Sequence, residues 1–242
     1  MNVNVTSVRD ILFKVDEWLL SPKGRYICVA NVHMCMETFD SQSFRKVVNH
    51  ADLVVPDGKP LSIAQKLLGH KKAVQIRGQD IMHSLCELSG PRDINIGFYG
   101  GSSDAVLNSV RSNLVQKNPN VQITYSFCPP FRSLSPEEDF NVSQEINNAN
   151  VDILFVGIGC PKQEVWMAEH KNKINCIMLG VGAAFDFISG NKKEAPRWMQ
   201  KMGMEWLFRL ASEPRRLWKR YLKHNPRFVY YFIRQLLGKK YI

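Results

Sequence analysis

The chain has 242 residues, 45% of them hydrophobic, and carries 32 Lys+Arg against 22 Asp+Glu, for a formal net charge of +10. That is ordinary globular material, enough for one large α/β domain or two small ones, and no apolar run approaches the ~20 residues a spanning helix needs. The charge is unevenly placed: residues 1–191 hold 18 Lys+Arg and 19 Asp+Glu, net −1, whereas residues 192–242 hold 14 and 3, net +11.

The opening stretch predicts an amphipathic helix from Ser7 to Leu20, with Val8, Ile11, Leu12, Val15, Trp18 and Leu19 at helical spacing, stopped by Ser21-Pro22-Lys23-Gly24. Tyr26 to Ala30 reads as a buried strand ending at Asn31, and Phe39 to Val48 as a helix. Leu53-Val54-Val55 is a second strand, ended by Pro56-Asp57-Gly58-Lys59-Pro60 before a helix to Gly69. In an open α/β sheet ligands bind outside the carboxyl ends of the strands, so Asn31 and Asp57 would place an amide and a carboxylate in one cleft. Asp57 then reads as a general base, or else as the cap of the following helix with Gly58 supplying a turn conformation. Asn31 has a similar alternative as a turn residue. Arg77 lies between helices, either solvated or facing the cleft to pair with a phosphate.

Two similar units follow. The strand Ile94 to Tyr99 leads through Gly100-Gly101 into a helix from Ala105 to Gln116. The strand Val151 to Val156 leads through Gly157-Ile158-Gly159-Cys160-Pro161-Lys162-Gln163-Glu164 into a helix ending near Lys173. Small residues before a helix N-terminus suit an anion such as a nucleotide diphosphate, and Pro161 fits the first helical position. Neither loop has the G-x-G-x-x-G spacing, so generic phosphate binding is as far as spacing goes. Val121 to Phe127 and Ile177 to Val181 are further strands, the latter leading to Asp186, suited to a sugar hydroxyl or to a cap. Alternating strands and helices predict a mostly parallel, Rossmann-like sheet with helices on both faces.

The six cysteines (28, 35, 86, 128, 160 and 176) form no C-x-x-C pair and the N-terminus shows no secretory signal, which reads as a cytosolic protein with reduced thiols. No Asp-x-Asp occurs and no histidines fall in a recognised ligand spacing, so neither metal nor cofactor is expected.

Taken together, Asn31, Ala51 to Gly58, Arg77-Gly78-Gln79-Asp80, Gly100-Gly101, Gly157 to Glu164, Gly182 to Asp186, and Glu205 to Leu210 through Glu213-Pro214-Arg215-Arg216 resemble the WecG/TagA/CpsF glycosyltransferases in order over nearly the whole chain. Val29 departs from the Thr common there, and Glu194-Ala195-Pro196 from the family's Arg-Ala-Pro. The resemblance implies a GT-E type fold and inverting, metal-independent transfer from a UDP-sugar donor to a polyprenyl-diphosphate-linked sugar acceptor, at the inner face of a bacterial membrane. It implies Asp57 as base, Asn31 and Arg77 near the sugar and diphosphate, and Gln163 and Asp186 in the nucleotide-sugar pocket. Arg209, Arg216 and Arg220 would meet the diphosphate from a basic C-terminal segment. A nicotinamide-dependent oxidoreductase and a nucleic-acid-binding protein remain as alternatives; the first lacks its fingerprint and the second would use the tail.

The division expected is a catalytic core over 1–191 and a basic appendage over 192–242. Between Pro214 and Pro226, Leu217, Trp218, Tyr221 and Leu222 form one helical face, and Arg216, Lys219, Arg220 and Lys223 form the other. Beyond Pro226, an apolar, aromatic stretch (Phe228 to Ile233, Leu236, Leu237) is bracketed by Arg227, Arg234, Lys239 and Lys240. This pattern predicts attachment to an anionic membrane surface, packing on the core or a partner subunit being the alternative. Homo-oligomerisation, the donor sugar and the acceptor sugar stay open.

Overall fold

In the computed structural model, which describes residues 1–21 and 23–238, the apolar runs become parallel strands. They are β1 Arg25–Ala30, β2 Leu53–Pro56, β3 Asn95–Gly100, β4 Gln122–Phe127, β5 Ile153–Gly157 and β6 Ile177–Gly180. They form a six-stranded sheet in the order β2-β1-β6-β5-β3-β4. Successive side chains of a strand point to opposite faces, so the sheet divides two cores. Ile27, Val29, Val55, Phe98, Phe155 and Leu179 enter one, under α1 Val8–Leu19, α5 Gly78–Ser89, α6 Asp104–Lys117 and α9 Ala184–Ile188. Tyr26, Cys28, Val54, Tyr99, Leu154 and Met178 enter the other, under α2 Val32–Asp40, α3 Gln42–Asn49, α4 Lys59–Leu67, α7 Pro136–Asn148 and α8 Lys162–His170. The chain closes with α10 Arg197–Met202, α11 Glu205–Ser212 and α12 Pro214–Leu236.

The first helix begins as its sequence predicts, with a Ser7–Asp10 capping box; Pro22 lies outside the described residues. Other elements differ from the expectation. The helix expected over 39–48 is two helices, because Ser41 is extended (φ −124°, ψ 115°) and its Oγ accepts the Phe44 N–H to start α3. α7 fills a stretch for which no element is expected, and its Ser135–Glu138 capping box with Pro136 was a readable start signal. Pro161, expected at the first helical position, is instead the N-cap of α8, which begins at Lys162. Helix α12 continues past Pro226 without interruption. Proline forfeits a ladder bond, but Leu217, His224 and Phe228 on either side are buried against the body of the protein and hold the helix in register.

Strand register is what gathers the candidate residues. Ala30 pairs with Pro56, and Cys28 with Gly180. Asn31, Asp57 and the turn after β6 therefore leave the sheet together at its carboxyl edge.

Candidate active site

The β2 turn is held against β1 by its backbone: the Asp57 N–H donates to the Ala30 carbonyl at 2.8 Å and the Gly58 N–H to the same oxygen at 3.3 Å. Asp57 does not cap α4. Gly58 is the N-cap, with no side-chain bond to the first turn and an ordinary φ of −75°, so the carboxylate of Asp57 is not spent on the helix. Asn31 does cap its helix, its Oδ1 accepting the Met34 N–H at 3.2 Å, while also lining the cleft.

Burial first, and then the Glu205 carboxylate, push the Asp57 carboxyl up to about 7, against the pull of Arg209, the Gly78 N–H and Arg77. Arg77 is the residue preceding α5, and its guanidinium is engaged by Glu205 (Nε to Oε2, 3.3 Å) and Asp80 (3.5 Å). Asp57 and Arg77 share a cavity of about 140 Å³ with Asn31, Gly159, Gln163, Arg209, Arg216 and Arg220. Arg209 comes from α11, and Arg216 and Arg220 from α12. The buried Nε atoms of Arg209 and Arg220 make no hydrogen bond within the protein, so they are donors still to be used, and the cavity they face is suited to an anion. Asp57 also borders a second cavity of about 330 Å³ running between α4, α11 and α12, where Pro60, Trp206, Tyr221, Phe228 and Val229 make the wall apolar. The carboxylate sits where a polar, arginine-rich space meets an apolar one.

The glycine loops divide in role. Gly100 (φ 133°) lies so close to Gly157 that a Cβ would meet its backbone at 2.5 Å, and a Cβ on Gly157 would meet the Phe185 ring at 2.6 Å. Gly100, Gly101 and Gly157 do not line these cavities; the first and third serve close packing between strand ends. Gly159 (φ 86°) does line the cleft. Gln163 is held beneath it, Oε1 accepting the Gly159 N–H at 3.2 Å and Nε2 donating to Glu164 at 2.7 Å. Glu164 is fully buried and touches the cleft residues Gln163 and Cys160; burial pushes its carboxyl up to about 7. Pro161 and Lys162 lie on the exterior. Asp186 is turned away into an ion pair with Lys192 at 2.5 Å, which also reaches Glu213 at 3.2 Å.

Over residues 1–241 the sequence matches the model of the Glycosyl transferase WecG/TagA/CpsF family. The chain belongs to this family. As a WecG/TagA/CpsF protein it is a glycosyltransferase, which displaces the oxidoreductase and nucleic-acid readings. It is 27% identical over 241 residues to the N-acetylglucosaminyldiphosphoundecaprenol N-acetyl-beta-D-mannosaminyltransferase of Bacillus subtilis (strain 168), covering 99% of this chain and 90% of that one. Proteins of the same name from Bacillus spizizenii (26% over 208 residues; 86% and 78% covered) and Staphylococcus aureus strain MW2 (28% over 211 residues; 87% and 80% covered) are also similar.

In this WecG/TagA/CpsF chain two cleft residues escaped the sequence reading. Glu205 stands within a motif that carries the resemblance, yet its effect on Asp57 and Arg77 requires α11 to fold back over β2. His33 follows Asn31 by two residues and lines both cavities; its place in the first turn of α2, at the same strand end as Asn31, was the available signal.

Proposed function

We propose that the protein transfers an N-acetylhexosaminyl group from a UDP-sugar to a hydroxyl of a polyprenyl-diphosphate-linked sugar, with inversion and without a divalent ion at the diphosphate. The observation that carries this reading is Asp57, a carboxylate with a raised pKa at the junction of an arginine-lined cavity and an apolar one. The donor's diphosphate suits the polar cavity, and the first isoprene units of the acceptor suit the apolar one. Asp57 takes the proton of the attacking hydroxyl as its oxygen bonds to the anomeric carbon. The bond from that carbon to the diphosphate breaks on the opposite face, and UDP leaves with the electron pair. The charge developing on the leaving group is met by Arg77, Arg209, Arg216 and Arg220. The names of the relatives support an N-acetylhexosamine donor, with UDP-N-acetylmannosamine the first to test.

Residues 1–191 serve as the core in this reading and 192–242 as an appendage that attaches the enzyme to the cytoplasmic face of an anionic membrane. Among the described residues no helix is long and apolar enough to cross a membrane. α12 instead carries an exposed apolar stripe of Trp218, Leu222, Val229, Ile233 and Leu236. Lys239 and Lys240, the outermost basic residues of the expected pattern, lie outside the described residues. Beside the cleft, a cavity of about 410 Å³ is bordered by Lys59, Lys66, Arg77, Arg197 and Lys201 and by no acidic side chain. Basic residues near an anionic surface contribute about 1 kcal/mol each.

The test is UDP release from a panel of UDP-sugars with a short-chain lipid-diphosphate-N-acetylglucosamine acceptor. Turnover with a UDP-N-acetylhexosamine, unchanged by added Mg²⁺ or Mn²⁺, is expected. Turnover with no UDP-sugar, or only with a divalent ion added, refutes the reading.

A further inference from the structure

Beside the cleft, three side chains from two distant parts of the chain converge. His33 and Glu37 stand one turn apart on α2, and His224 comes from the middle of α12. The Glu37 Oε1 lies 3.7 Å from the His33 Nδ1 and 3.6 Å from the His224 Nε2, and the imidazole centroids are 5.0 Å apart. These separations are too long for hydrogen bonds. The Nδ1 atoms of His33 and His224 are buried with no hydrogen-bond partner, and His224 is only 4% exposed. Two imidazole nitrogens and a carboxylate oxygen, all within 4.8 Å of one another, are the donor set of a cation site. Tetrahedral ligands on bonds of 2.0–2.1 Å stand about 3.3 Å apart, so each histidine nitrogen is within a few tenths of an ångström of that distance from Glu37, and bringing the two imidazoles toward each other completes the set.

We propose that His33, Glu37 and His224 form a zinc site that staples α12 to α2, with solvent as the fourth ligand. Two imidazoles and one carboxylate are a borderline ligand set that favours Zn²⁺ over Mg²⁺ or Ca²⁺, which demand oxygen. Arg220, Lys223 and Arg227 lie nearby and oppose the added charge, whereas Asp40 favours it. The role is structural: α12 carries Arg216 and Arg220 into the cleft, so a metal bridging it to α2 fixes where those guanidiniums stand. The site adjoins the cleft through His33, which lines both cavities, and it does not rest on the identity of the sugar donor.

The experiment uses the full chain without a histidine tag, stripped of metal and titrated with Co²⁺ alone. One equivalent is expected to produce the visible absorption of tetrahedral Co²⁺, discharged by Zn²⁺, and Zn²⁺ is expected to raise the melting temperature by several degrees. Glu37→Gln and His224→Phe should each weaken Co²⁺ binding at least tenfold. Glu37 is partly exposed, so Glu37→Gln carries the test if His224→Phe fails to fold. Absence of the absorption band and of a melting shift would overturn the site. So would binding that both variants leave intact, which would assign the ion to the cysteines.

Discussion

Asp57 illustrates how a single residue's role is set by what surrounds it. The strand-end turn was legible from Val54-Val55-Pro56-Asp57-Gly58, but the choice between base and helix cap was not. The fold puts Gly58 in the cap position and leaves the carboxylate in the cleft. With the carboxyl pushed up to about 7, the base works only when ionised, so kcat/KM should rise tenfold per pH unit below about 7 and level off above it. Glu205→Gln removes a negative neighbour that raises this pKa, and the acidic limb of the profile should therefore move to lower pH. An unmoved limb would mean that Glu205 does not act on Asp57. Asp57→Asn should cut transfer by at least a hundredfold while UDP-sugar binding persists. The folded-state pKa lies above the unfolded value, so the stability this carboxyl contributes is present at low pH and lost as pH rises through about 7. Calorimetry at pH 8 should accordingly find Asp57→Asn melting at or above the wild type, and a large drop there would make Asp57 a structural residue.

At the scale of elements, α12 is the helix whose sequence said most and whose structure changed the reading most. The sequence shows the pattern of apolar and basic residues, but with Pro226 taken as a break it predicts only two faces. In the continuous helix it has three faces. Leu217, His224 and Phe228 point to the body of the protein; Lys219 and Lys223 lie on a basic flank; Trp218, Leu222, Val229, Ile233 and Leu236 form an outer stripe. Helical periodicity shows which residues share a face, but not which of two apolar faces meets protein and which meets another medium. Trp218→Ser with Leu222→Ser should weaken flotation with anionic liposomes about tenfold or more, while turnover with a water-soluble acceptor stays near wild type. Equal flotation would move the membrane contact elsewhere. Pro226→Ala should restore a helical bond and raise stability by up to about 3 kcal/mol, seen as a higher melting temperature. A lower one would mean that the proline sets a bend the packing needs.

For the molecule as a whole, the appendage is also part of the body. Deleting residues from Lys192 onward would uncover the pockets that Leu217 and Phe228 fill, so the truncated chain should melt well below the full chain as well as losing lipid binding. A truncation that melts like the full chain would make the appendage a true accessory. By itself the sequence determined the parallel α/β sheet, the family, the strand-end placement of Asn31 and Asp57, and the charge split between core and tail. These are carried by runs, periods and motifs local in the chain. Only the tertiary structure decided that Glu205 faces Asp57, that Asp186 is occupied by Lys192, that Gly100 and Gly157 serve packing, and that His33 and Glu37 meet His224. Those pairings join residues brought close only when helices pack on the sheet, and no local spacing records which elements will touch.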